Sequence, residues 1–157
     1  MRKIDTFFNE YAQSHQNQTN KNIHWVCVPL IFWSILGFIS LIPSAGFTFP
    51  KIGFVSYITL MGIVLISLFY ARLSLKIAGY MLVVLAIFVV TNAAVNTYLY
   101  NDALYVYAIV FVVSWVFQFI GHKIEGKKPS FLKDLQFLLI GPIWLLHFLL
   151  KKMKINY

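Results

Sequence analysis

Four histidines, His15, His24, His122 and His147, are the side chains of this 157-residue chain best suited to hold something reactive. Neutral imidazole is the commonest protein metal ligand, and three converging rings already make a site with open coordination positions. Little else in the sequence competes for a chemical role. The five acidic residues, Asp5, Glu10, Asp102, Glu125 and Asp134, all lie outside the long apolar runs, so the mid-membrane carboxylate of a proton-coupled transporter has no candidate here. Cys27 is the single cysteine; it excludes an internal disulfide and reads as a packing residue. Asn92 and Asn96 are the deepest polar side chains and are expected to hydrogen-bond helix to helix.

Spacing limits what the histidines can share. His15 and His24 are nine residues apart, a rotation of about 900° on one helix, which would point them to opposite faces. The intervening Gln16-Asn17-Gln18-Thr19-Asn20 is rich in residues that cap or leave helices, so a break is expected there. Tyr11 and His15 would then share a face of a first helix, and Asn20 and His24 a face of the next, with Tyr11 and Asn20 as supporting partners. Further on, Trp115, Gln118 and His122 fall on one helical face, and His122 and Glu125 are spaced i,i+3, with Gly126 and Pro129 ending that helix. Three or four histidines form one possible ligand set, and two histidines with a carboxylate form another.

The elements that must position these residues are membrane helices. Hydrophobic residues make up 60% of the chain and charged ones 11%, too apolar for an ordinary soluble domain. Uncharged runs at about 25–42, 52–70, 77–95 and 103–121 are near the ~20 residues needed to cross a bilayer. A fifth run, 135–150, is short and carries Gly141-Pro142 at its middle, so it reads as re-entrant or interfacial. Of thirteen basic residues, all but Lys51 fall before the first run, between the second and third, or after the fourth, which makes those segments and both termini cytoplasmic. The expected architecture is all-α: a single membrane domain over 1–157, with a cytoplasmic segment at 1–23, four transmembrane helices and a fifth re-entrant or interfacial helix. No cleavable signal is evident, and a bacterial inner membrane is favoured over endoplasmic reticulum. The net charge of +8 sits beside apolar runs, so anionic lipid headgroups are the expected partner and nucleic acid is not. Trp25, Trp115 and Trp144, and on the other side Tyr98, Tyr100, Tyr105 and Tyr107, fit interfacial aromatic belts.

By this topology all four histidines share the cytoplasmic side. A lone interfacial histidine is usually a snorkelling polar group, but four on one side and none opposite suggest a site. His147, beside a lysine-rich end, carries the weakest signal. Lys127 and Lys128 read either as headgroup anchors or as substrate ligands.

The residues quoted so far make two motifs. Tyr11, His15, Asn20, His24 and Pro29 follow Y-x3-H-x4-N-x3-H-x4-P, and Trp115, Gln118, Phe119, Gly121 and His122 follow W-x2-Q-F-x-G-H. With the order of spans, they resemble the yeast-type 2-hydroxy fatty acid dioxygenases, small membrane proteins of fatty acid α-oxidation. The resemblance implies an enzyme that uses ferrous iron and dioxygen to shorten a 2-hydroxy fatty acid by one carbon, with His15, His24 and His122 as the metal ligands. One departure is visible: the family pattern H-x3-E is one residue shorter here, His122-Lys123-Ile124-Glu125. His147 falls near a position where relatives can have a carboxylate. A 2-hydroxy acid suits such a site, because its hydroxyl and carboxylate oxygens form a chelating pair.

Other classes make different predictions. A non-enzymatic membrane scaffold or lipid-binding protein would carry no stoichiometric iron and would tolerate alanine at the histidines. A bis-His haem protein would absorb visible light, but needs a second histidine at mid-span to sandwich the haem. Membrane di-iron desaturases typically use about eight histidines, more than this chain has.

Overall fold

The computed structural model describes residues 2–126 and 131–155, and for 131–136 the backbone course only. Among these are six helices: α1 (Lys3–Ala12), α2 (Gln18–Ser40), α3 (Tyr57–Ala71), α4 (Leu75–Tyr98), α5 (Ala103–Glu125) and α6 (Phe131–Lys152), with a hairpin of β1 (Gly46–Phe49) and β2 (Gly53–Ser56). They group into two compact units, Met1–Phe32 with Val112–Tyr157, and Trp33–Phe111. Among the described residues, three helices, α2, α4 and α5, are long and apolar enough to cross a membrane.

In the first unit the expected break between the opening helices is present. It lies at residues 13–17, slightly earlier than the polar run suggested. Asn17 starts α2 by accepting the Thr19 amide on its side-chain oxygen at 2.8 Å, as an N-cap does. Ile4, Phe8 and Tyr11 of α1 are buried, a one-face stripe that packs against α6. Helix α6 departs from one of its two expected forms, the re-entrant one. It runs through Gly141-Pro142 without a break for 22 residues, so it does not fold back on itself at that point as a re-entrant segment would. Proline withdraws one amide from the ladder, which a helix packed along Ile140, Ile143 and Trp144 tolerates.

In the second unit the run at 52–70 is helical only from Tyr57, leaving α3 with 15 residues. Its opening residues pair instead as β2, antiparallel to β1, with Phe47 opposite Val55 and Thr48 opposite Phe54. The turn is made by Lys51 (φ 69°) and Gly53 (φ 109°). Gly53 also lies against α4, where a Cβ would be 3.0 Å from the Thr97 hydroxyl. The local signal was the alternation of Phe47-Thr48-Phe49 and Phe54-Val55 about Pro50-Lys51.

Polar side chains tie this unit's helices together. The Asn96 amide donates to Ser40 Oγ at 2.9 Å, and the Asn92 amide to the Trp33 carbonyl at 3.3 Å. The Trp33 indole donates to Thr91 Oγ1 at 2.9 Å. The Tyr107 hydroxyl lies 2.8 Å from Asn96 Oδ1 and 3.1 Å from the Asn92 carbonyl, acceptors between which its one proton is shared. Tyr107 is therefore a fully buried core residue rather than part of an aromatic belt, whereas Tyr98, Tyr100 and Tyr105 are exposed as a belt requires. Replacing Tyr107 by Phe leaves a buried acceptor without its donor and is expected to cost about 1 kcal/mol. Thermal unfolding in detergent would register this, with metal binding unchanged; an unaltered midpoint would refute it.

Candidate metal centre

Three separate elements of the first unit deliver one imidazole each. His15 comes from the turn after α1, His24 from the second turn of α2 and His122 from the end of α5. Their ring centroids lie 4.2 Å (His15 to His24), 5.1 Å (His24 to His122) and 5.4 Å (His15 to His122) apart. One ring nitrogen of each falls within 4.8 Å of the others, a group able to hold a metal ion. His15 and His24 are each only 2% exposed.

The backbone sets which nitrogen faces inward. His15 Nδ1 lies 2.6 Å from the Tyr11 carbonyl, and His24 Nδ1 lies 2.8 Å from the Asn20 carbonyl. A carbonyl only accepts, so each Nδ1 must carry the proton and donate it. Nε2 is thereby left as the lone-pair atom in both rings. Fixing one ring nitrogen through the hydrogen bond of the other is how protein metal sites orient histidine. The i,i+4 pairs Tyr11/His15 and Asn20/His24 thus work through main-chain oxygens of residues whose side chains do something else.

The His15 Nε2 atom is buried and has no hydrogen-bond partner among the described residues. An orphaned buried lone pair costs about 1–3 kcal/mol, and a metal ion is the ligand that would satisfy it. Burial pushes the His15 imidazole down to about 4, opposed by the Tyr11 carbonyl and reinforced by the neighbouring His122. Because this value lies below the ~6.5 of an unfolded histidine, neutral His15 contributes stability that is complete above about pH 6.5. That contribution is lost as pH falls toward 4. Unfolding midpoints of the metal-free protein from pH 8 to 4 should therefore drop through this window, less steeply in His15→Ala. Equal slopes would refute the assignment.

An aromatic wall closes the site on one side. Tyr11 stacks on His15 with centroids 4.0 Å apart and planes 7° from parallel, and Trp144 sits 5.1 Å from Tyr11 and 5.6 Å from His15. Trp144 is 3% exposed, which corrects its reading as an interfacial belt residue. Gly141 admits this wall: a Cβ there would stand 3.0 Å from the Tyr11 hydroxyl and 3.1 Å from Val28. Gly141 and Trp144, spaced i,i+3 on α6, were the available sequence signal for a face turned toward α1.

Other sequence candidates separate clearly. His147 does not join the three-ring group; it packs between Phe8 and Phe148, at 5.0 Å and 5.3 Å. Burial, and then Lys151, hold its imidazole below the ordinary value. The Glu125 carboxylate also lies outside that group. Instead its Oε1 accepts the Gln16 amide at 2.7 Å, while Oε2 accepts the Asn17 amide at 2.9 Å and the Asn20 side-chain amide at 3.0 Å. Lys127 and Lys128 lie outside the described residues, as does Pro129. Gly126 ends α5 with φ 73°, as a glycine after a helix does.

A family model described as 2-hydroxy-palmitic acid dioxygenase Mpo1-like matches residues 1–153. The chain belongs to this family. The match spans both motifs, and the Mpo1-like name implies a dioxygenase acting on a 2-hydroxy fatty acid. No curated protein and no solved structure matches the chain.

Proposed function

We propose that this Mpo1-like protein is a non-haem, ferrous iron-dependent dioxygenase that shortens 2-hydroxy fatty acids by one carbon, with His15, His24 and His122 holding the metal at the cytoplasmic membrane face. The observation that carries this reading is the buried convergence of three imidazoles from three elements, one with an orphaned Nε2. Imidazole donors suit iron as well as zinc, copper or nickel; the oxygenase chemistry implied by the family favours iron. Bound ferrous iron would supply reactivity toward dioxygen and a positive charge that attracts the substrate carboxylate.

The chain's own residues do the rest. The Tyr11 and Asn20 carbonyls hold two rings in the tautomer that presents Nε2. Tyr11 and Trp144 exclude water from one side, lowering the local dielectric and strengthening attraction for an anion. Three neutral histidines add no negative charge to oppose that anion. Lys127 and Lys128, a few positions past His122 in sequence, would assist its capture. The acyl tail stays in the bilayer, where each methylene kept from water contributes ~0.8 kcal/mol. In the same reading α2 to α5 all cross the membrane with both termini cytoplasmic, α3 as a short span accommodated by local thinning.

The test is turnover. Iron-loaded protein in nanodiscs, given dioxygen and 2-hydroxypalmitic acid, should release pentadecanoic acid and leave palmitic and 3-hydroxypalmitic acids untouched. Folded, iron-loaded protein without that product would overturn the proposal.

A further inference from the structure

We infer that Glu125 is a positioning residue, a latch that joins the His15-bearing turn to the end of α5 and thereby sets all three imidazoles in register. This rests on the metal site proposed above. Both carboxylate oxygens are committed away from the rings, to the Gln16 amide at 2.7 Å, the Asn17 amide at 2.9 Å and the Asn20 side chain at 3.0 Å. Each of these partners sits beside a histidine's own support. Gln16 follows His15 directly. Asn17 caps α2 through Thr19. Asn20 supplies the carbonyl that orients His24, and its amide also reaches back to the Ser14 carbonyl at 3.1 Å. On the other side Glu125 is one helical turn past His122. A single side chain therefore ties together points 105 to 109 residues apart in sequence.

The turn needs such a tie. Gln13, Gln16 and Asn17 are exposed, so the buried His15 ring is the one closely packed side chain of residues 13–17. Amides at the start of a helix lack intrahelical acceptors and lie at its positive end, where a carboxylate is the favoured partner. Charge-assisted hydrogen bonds of this kind are short and about twice as strong as neutral ones. The spacing His122-Lys123-Ile124-Glu125 puts the carboxylate at i,i+3 from His122, where it reaches the turn amides.

The experiment compares the parent with Glu125→Ala and Glu125→Gln, each metal-free in nanodiscs, by cobalt(II) titration and by hydrogen exchange at the Gln16 and Asn17 amides. We expect Glu125→Ala to bind cobalt roughly 10- to 100-fold more weakly, the range typical of residues that support ligands, with visible bands at the parent's wavelengths. Exchange at the two amides should accelerate at least about tenfold, while amides in α4 are unchanged. Glu125→Gln keeps one acceptor and should fall between on both readouts. Unchanged affinity with unchanged exchange overturns the latch. Shifted cobalt bands overturn it too, because they mark a lost ligand rather than displaced ones. If the parent takes up no cobalt, the metal reading fails, and exchange alone decides the latch: acceleration upholds it, its absence overturns it. Should Glu125→Ala not fold, Glu125→Gln decides on the same measurements.

Discussion

Alanine at His15, His24 or His122 is expected to abolish both stoichiometric iron and turnover, while each variant still inserts and keeps its helical content. The expectation follows from the absence of a spare ligand: the group contains these three rings and, among the described residues, no further histidine or carboxylate. Losing one of three nitrogens should cost more than the roughly 10- to 100-fold associated with supporting residues. His147→Ala is the control. Its ring sits against Phe8 and Phe148, so its loss should leave iron content and activity near those of the parent. Metal analysis and chain-shortening assays on the four variants decide the point; a fully active variant at any of the three positions removes that residue from the site.

Gly121→Ala should damage the same site without touching a ligand. Gly121 is buried beside Asn20, and a Cβ there would collide with the Asn20 side-chain oxygen. That oxygen belongs to the side chain that reaches Glu125 and the Ser14 carbonyl, so it cannot move without loosening the turn that carries His15. Overpacking of this kind typically costs about 1–3 kcal/mol, and metal affinity should fall with stability. The contrast is Gly79→Ala in α4, where an added Cβ meets nothing within 4 Å. There the gain in helix propensity should stabilise by about 0.5–1 kcal/mol. Thermal unfolding of both variants with and without metal tests the opposite signs; equal shifts would refute the packing argument.

Much of the helical frame was readable because apolar length is a local property. The runs at 77–95 and 103–121 lie within α4 and α5, and the run at 25–42 overruns the end of α2 by two residues; among the described residues these are the three helices long and apolar enough to span. The break between Tyr11 and Asn20 was readable from its capping residues, and Asn17 caps as such residues do. Asn92 and Asn96 hydrogen-bond across helices, as polar groups in apolar spans must. The hairpin was missed because its aromatic alternation sits inside an apolar run, where hydropathy cannot distinguish a strand from a helix. For α6 the sequence left two forms open, re-entrant or interfacial, and the unbroken helix through Pro142 removes the first, because packing along Ile140, Ile143 and Trp144 tolerates the proline that local propensity disfavours.

The amino-acid order alone determined that imidazoles gather near the ends of apolar runs and that Tyr11, Asn20 and Glu125 lie one helical turn from three of them, since charge, length and helical period need no knowledge of neighbours. Only the tertiary structure decided which rings meet. Whether His147 joins His15 depends on how α6 lies against α1, and whether Glu125 faces the rings or the turn amides depends on a contact more than a hundred residues away. Trp144 became the wall of the site through the same packing. Such choices are made by complementary shape and by donors seeking acceptors across the fold, quantities that no short stretch of sequence contains.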